Sequence, residues 1–172
     1  GPIPTDTKEF DQAEEKVQNT LFKLIEINGS KPVDYFHKRL GKIMWEYVGM
    51  ARNKEGLEYA ISEIKKIRNE FWNEVKIPGS LDEMNSELEK AGRVADFLEL
   101  GELFAKDALE RTESAGGHFR EESQTPEGEA LRNDKDFAFT SAWEYVGEPS
   151  EAILHKEELE FNDIELKQRS YK

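Results

Sequence analysis

Three stretches in which apolar residues recur every three or four positions, each closed by a turn signal, constrain this chain more than any other feature. Phe10, Ala13, Val17, Leu21, Leu24 and Ile25 form the first stripe, with Thr5 or Asp6 placed to cap it and Asn28-Gly29 to end it. Ser30 and Pro32 mark a new start, and Phe36, Leu40, Ile43, Met44, Tyr47, Val48 and Ala51 continue the rhythm. Asn53 is placed to cap a third stripe of Leu57, Ala60, Ile61, Ile64, Ile67, Phe71 and Val75, which Lys76-Ile77-Pro78-Gly79-Ser80 breaks. Lys65, Lys66, Arg68, Asn69 and Glu70 occupy the side opposite that stripe. Such spacing puts each apolar set on one helical face, so the sequence predicts helices near residues 6–28, 33–52 and 54–75.

Short links make successive helices neighbours. The expectation over residues 1–80 is therefore a three-helix antiparallel bundle, spectrin-repeat-like, with Phe10, Leu21, Leu40, Met44, Ile61, Ile64 and Phe71 inside. A fourth segment, Met84 to Ser114, carries two stripes: Met84, Leu88, Ala91, Ala95, Leu98, Ala105 and Leu109, then Val94, Phe97, Gly101, Phe104 and Ala108. A helix apolar on more than one side is buried between two layers. Residues 81–117 are thus expected to form a long helix that completes or extends the bundle, with Gly116-Gly117 as its stop.

Residues 118–172 read differently. Polar, turn-rich sequence from Phe119 to Asp136 gives way to alternation in Phe137, Phe139, Ser141, Trp143 and Tyr145, then a Glu148-Pro149-Ser150 turn and a return over Ile153 to Phe161. That pattern predicts a small C-terminal β-hairpin. The fold class is mainly α.

Composition narrows the functional classes. Against 37 Asp and Glu stand 24 Lys and Arg, a net charge of -13, which repels phosphate backbones and anionic lipid surfaces and disfavours nucleic-acid partners and direct membrane insertion. With no cysteine, disulfides, thiolate metal sites, Fe–S ligation and thiol nucleophiles drop out together. No run reaches the roughly 18 apolar residues of a membrane span. Gly1-Pro2-Ile3-Pro4 lack an initiator methionine and have the look of a tag remnant, so a start inside a longer protein is expected.

No G-x-G-x-x-G or G-x-x-x-x-G-K-[ST] turn occurs, so the usual phosphate cradle is missing. His37, His118 and His155 are too scattered for a local metal motif. Trp45 and Trp72 fall beside helical stripes, which predicts packing in the core or at the bundle edge. One stretch stands out: Glu113-Ser114-Ala115-Gly116-Gly117-His118-Phe119-Arg120-Glu121-Glu122 gathers Ser, His, Arg and carboxylates around a glycine pair. Ser114, Gly116, Gly117, His118, Arg120 and Glu121 are the candidate interaction residues, with Arg120 and Glu121 expected to form partly exposed ion pairs. A hydrolytic reading of Ser114, His118 and Glu121 would require nucleophile and base within hydrogen-bond reach in one short loop.

From Glu99 to Glu122 the chain resembles the signature near the end of succinate dehydrogenase and fumarate reductase flavoproteins, where a long helix runs into a Glu-Ser-Arg-Gly-Ala-His-x-Arg-Glu-Asp loop. Glu113, Ser114, Gly116, His118, Arg120 and Glu121 agree; Ala115 stands in place of the arginine, Gly117 of the alanine and Glu122 of the aspartate. Arg68 to Trp72, Trp143, His155 and Arg169-Ser170-Tyr171 add similarity in the same order, and the resemblance runs from about Phe36 to the end. It implies a parent protein that carries FAD, interconverts succinate and fumarate, and passes electrons to an iron–sulfur subunit. It implies too that the flavin and dicarboxylate sites lie in a preceding region, leaving this part without a cofactor or catalytic residue. Its partners would then be the flavin-binding domain and the iron–sulfur subunit, in the cytoplasm on the inner face of the cytoplasmic membrane. L-aspartate oxidase resembles the same architecture. A free-standing acidic helical adaptor satisfies the composition alone.

Overall fold

A computed structural model describes residues 1–167; Arg169-Ser170-Tyr171 lie outside the described residues. Four substantial helices form the body: α1 (Lys8–Glu26), α2 (Val33–Tyr47), α3 (Lys54–Glu74) and α4 (Ser86–Glu110). A short α5 (Asp134–Phe137) precedes an antiparallel hairpin of β3 (Phe139–Glu144) and β4 (Ile153–Glu158), joined through a 3-10 turn at Pro149–Glu151. The mainly helical fold with a small hairpin matches the sequence reading.

The capping residues work as their chemistry dictates. Asn53 accepts from the Gly56 N–H at 2.8 Å at the start of α3, and Asn85 accepts from the Leu88 N–H at 3.0 Å at the start of α4, each relieving one of a helix's orphan donors. Thr7 caps α1 without a side-chain bond. Between α1 and α2 the backbone closes on the end of α3: Gly29 donates to the Val75 carbonyl at 2.9 Å, and a Cβ at Gly29 would sit 2.1 Å from the Glu74 backbone. Only glycine fits there. Beside it, Lys31–Pro32 (β1) and Val75–Lys76 (β2) make a two-residue parallel pair that no periodicity announced.

The core is drawn from α2, α3 and α4, which all pack on one another, whereas α1 lies against α4. Phe36, Leu40, Ile64, Ile67, Phe71, Val94 and Leu98 are buried at its centre, with the Phe36 and Phe71 rings edge to face at 5.3 Å. Leu21 and Met44 are partly buried around it, and Ile61 is partly buried against a second cluster of Val48, Leu57, Ala60, Ala105 and Ala108. Phe10 does not belong inside: it is 47% exposed, and Leu24 is the buried residue that α1 supplies. The stripe of α1 continues past the surface available on α4, so among the described residues nothing covers its outer end. Trp45 likewise points outward at 88% exposure, while Trp72 packs edge to face on Phe71 at 5.3 Å. Met84 precedes α4 and is exposed.

A polar assembly holds the hairpin to the bundle. Glu102 of α4 is buried, pairs with Arg68 of α3, and accepts from Ser150 Oγ at 2.7 Å, while Arg68 reaches Glu148 at 2.9 Å. Lys106 Nζ donates to the carbonyls of Ser150 and Ala152, and Trp143 Nε1 donates to Asp107 at 2.8 Å.

Candidate functional site in the loop after the fourth helix

Helix α4 ends at Glu110, four residues earlier than the apolar pattern suggested, and the glycine pair is not its stop. Gly116 and Gly117 instead form the tip of a two-residue turn between Ala115 and His118, which exchange backbone hydrogen bonds of 2.9 and 3.0 Å. Gly116 has φ of 58°, the left-handed value that the first central position of such a turn demands. The helix has its terminal carbonyls satisfied from elsewhere.

Arg120 supplies that satisfaction. Its side chain is buried, and Nη1 donates to the carbonyls of Ala108 at 2.9 Å and Leu109 at 3.2 Å, placing a cation at the negative end of the α4 dipole. Its acidic partner is Glu122, at 3.1 Å, not Glu121. Glu121 is exposed and accepts from the Asn53 side chain at 2.7 Å. The expected partly exposed Arg120–Glu121 pair is thereby corrected: the α4 terminus draws the guanidinium inward.

Ser114 is fully buried and its hydroxyl is spent on backbone, accepting from the Arg120 N–H at 2.8 Å and donating to the Arg120 carbonyl at 3.2 Å. It makes no hydrogen bond to His118, so the geometry assembles no nucleophile and base. His118 bridges two arginines: one nitrogen, Nε2, lies 2.8 Å from the Arg111 carbonyl, and Nδ1 lies 2.7 Å from Arg52 Nη1. A carbonyl only accepts and a guanidinium only donates, so the neutral ring carries its proton on Nε2. Burial pushes its pKa down, and the positive charges of Arg52, Arg120 and Arg111 push the same way against the Arg111 carbonyl.

Residues of the α2–α3 turn complete the site. Arg52 donates its backbone N–H to Phe119 and accepts from the Glu121 N–H, a parallel bridge that clamps the loop, while its Nε caps the end of α2 at the Val48 and Gly49 carbonyls. Glu122 accepts from the Lys54 N–H at the start of α3 at 2.5 Å; burial raises its pKa, but this bond and Arg120 outweigh it and leave the carboxyl below its ordinary value. On the hairpin side, buried Glu113 pairs with Arg111 at 2.8 Å, and Arg111 donates to the Phe137 and Phe139 carbonyls. Sequence patterning singled out the loop but missed Arg52 and Arg111, because their partners lie across the fold or on the far side of the loop.

A basin of about 530 Å³ opens here, walled by Arg52, Arg111, His118, Phe104 and Asp107. Phe104 also lines an adjacent apolar groove of about 280 Å³ between α2 and α4, with His37, Gly41, Met44, Phe97 and Leu100. Within the second stripe of α4 Val94 is buried, whereas Phe97 and Phe104, with neighbouring Leu100, are exposed at 44%, 55% and 60%. Among the described residues no cluster of three or more His, Asp or Glu is placed to hold a metal, and no helix is long and apolar enough to cross a membrane.

The sequence profile described as the fumarate reductase flavoprotein C-terminal region matches residues 37–171. The chain belongs to that family, the C-terminal domain of fumarate reductase and succinate dehydrogenase flavoproteins. Among curated relatives it is 34% identical over 110 residues to an uncharacterized FAD-dependent oxidoreductase of Methanocaldococcus jannaschii, covering 64% of this chain and 19% of that protein. It is 29% identical over 118 residues to the fumarate reductase flavoprotein subunit of Helicobacter pylori, covering 69% of this chain and 16% of the relative. The chain thus spans less than a fifth of the length of these relatives. Its fold is shared with Escherichia coli quinol fumarate reductase FrdA at a TM-score of 0.74 and 18% identity, over 96% of this chain and 27% of that one. Mycobacterium smegmatis Sdh1 gives a TM-score of 0.74 at 21% identity, over 90% of this chain and 25% of the other. The flavoprotein C-terminal domain therefore keeps its shape where little sequence is shared.

Proposed function

We propose that this domain buttresses the flavin-binding part of an FAD-dependent flavoprotein that interconverts succinate and fumarate, supporting domain and subunit packing while the chemistry resides elsewhere. The observation that carries the reading is the uncovered strip of Phe97, Leu100 and Phe104 on α4, beside a groove and continuous with a loop whose polar groups are already tied down. Contiguous exposed apolar surface of this kind marks an interaction site. The occupant is the flavin-binding segment, since relatives several times longer than this chain are FAD-dependent oxidoreductases and fumarate reductase flavoprotein subunits by name. Gly116, Gly117, His118 and Glu121 form the exposed or half-buried rim of the docking surface, and buried Ser114 and Arg120 hold that rim in shape. The same surface, extended across the loop, faces the iron–sulfur subunit, through which the flavoprotein sits on the inner face of the cytoplasmic membrane.

Leu100→Glu tests this. A charge in the middle of the strip should lower affinity for the separately produced flavin-binding segment by about a hundredfold, as truncating or charging an interface centre does, and leave the melting temperature of this chain within a degree or two. Undiminished association would sink the docking assignment.

A further inference from the structure

We infer that the basin beside the strip receives a carboxylate carried by the flavin-binding segment, with Arg52 as its ligand. This rests on the docking reading above and adds the chemistry of the contact.

The chain is strongly acidic, with a net charge of -13, yet three arginines converge around His118. Arg111 is matched by Glu113 and Arg120 by Glu122. Arg52 has no carboxylate within ion-pair distance among the described residues. Its Nε is engaged by the Val48 and Gly49 carbonyls and one Nη1 proton by His118, leaving the second Nη1 proton and both on Nη2 without a partner there. Asp107, the one acid on the basin wall, accepts from Trp143 Nε1, and its charge acts on Arg52 without forming an ion pair. The guanidinium is half-buried and rests over the Phe104 ring at 5.3 Å.

These features together describe an oriented cation. Backbone carbonyls and a neutral imidazole fix the plane of the guanidinium, the aromatic wall limits its hydration, and the free N–H edge faces an open basin. A planar carboxylate meets that edge with two parallel hydrogen bonds. Phe104 belongs to both the apolar groove and the basin, so a segment seated on the strip brings its own side chains to Arg52. Arrival of a carboxylate there supplies the ion-pair partner that Arg52 lacks among the described residues, where the Asp107 charge acts on it without pairing.

Calorimetry of this chain against the separately produced flavin-binding segment, at low and at moderate salt, decides the matter. Arg52→Met should weaken association about tenfold or more and flatten its salt dependence. Because Arg52 also caps α2, the second variant leaves that cap alone: Asp107→Asn keeps an acceptor for Trp143 but removes a negative charge beside the basin, and should tighten association several-fold. Unchanged affinity in both variants, or weaker binding by Asp107→Asn, overturns the inference; if Leu100→Glu still abolishes binding in that case, the docking reading stands without it. Wild-type chain that does not associate at all removes both. Saturable binding of free succinate or acetate to this chain, lost in Arg52→Met, would make the basin a small-molecule site and overturn the docked carboxylate.

Discussion

Helix α1 and the loop from Ser114 to Glu122 are anchored in opposite ways. Nineteen residues of regular helix contribute one buried side chain, Leu24, whereas an irregular loop half that length holds Ser114 and Arg120 buried, with Glu113 buried just before it. Regular hydrogen bonding secures a helix internally and says nothing of its attachment, which depends on the apolar face it buries. The loop has no ladder, so each polar group taken out of water had to find its own partner. No buried side-chain polar atom among the described residues lacks one. Regularity and fixity are thus separate properties, and here they fall in different regions.

The sharpest break of this contrast is Arg120→Ala. At 3% exposure Arg120 serves the Ala108 and Leu109 carbonyls, and its loss should cost about 3 kcal/mol of unfolding free energy, combining charge-assisted bonds with orphaned acceptors. Chemical denaturation reads it directly, and a change below about 0.5 kcal/mol would mean the loop is no better anchored than α1.

His118 gives an intermediate, pH-dependent effect. Its pKa is lowered in the folded chain, so the unfolded chain binds more protons as the ring titrates. The stability it contributes is complete above the unfolded value of about 6.5 and declines as pH falls below that toward the folded pKa. Melting temperature should therefore drop between pH 7 and pH 5 with a slope worth at most about one proton, and His118→Gln should flatten it. An identical slope in the variant would assign the titration to other groups.

Phe10→Ala is the smallest expected change, within about 0.5 kcal/mol, as for a surface substitution away from the core. A cost above about 2 kcal/mol would show that α1 is covered over its whole length and would erase the contrast.

How far each region could be read in advance follows from the range of the forces involved. Helical periodicity is local, so α2 and α3, the caps at Asn53, and the buried Ile64 and Phe71 were legible within a few turns of sequence. The same local signal misplaced Phe10, because a stripe states which side is apolar and not how far the neighbouring helix extends. In the loop, the motif pointed to Ser114, His118 and Arg120, but their roles depend on partners in other elements. Arg52 lies 66 residues from His118, and Gly49-Met50-Ala51-Arg52 carries no pattern to announce that meeting. The glycine pair, equally suited to a helix stop or a tight turn, was settled by the position of His118.

The buried Glu102 joins elements that composition would separate. Arg68 from α3 and the Ser150 hydroxyl from the hairpin connection share its two oxygens, so lifting the hairpin away strips a hydroxyl donor from a carboxylate enclosed in the bundle. Detachment of the hairpin is consequently not a peripheral event. It is linked through Glu102 to the α3–α4 contact, so loosening the strand pair should weaken the Arg68–Glu102 junction between those helices as well.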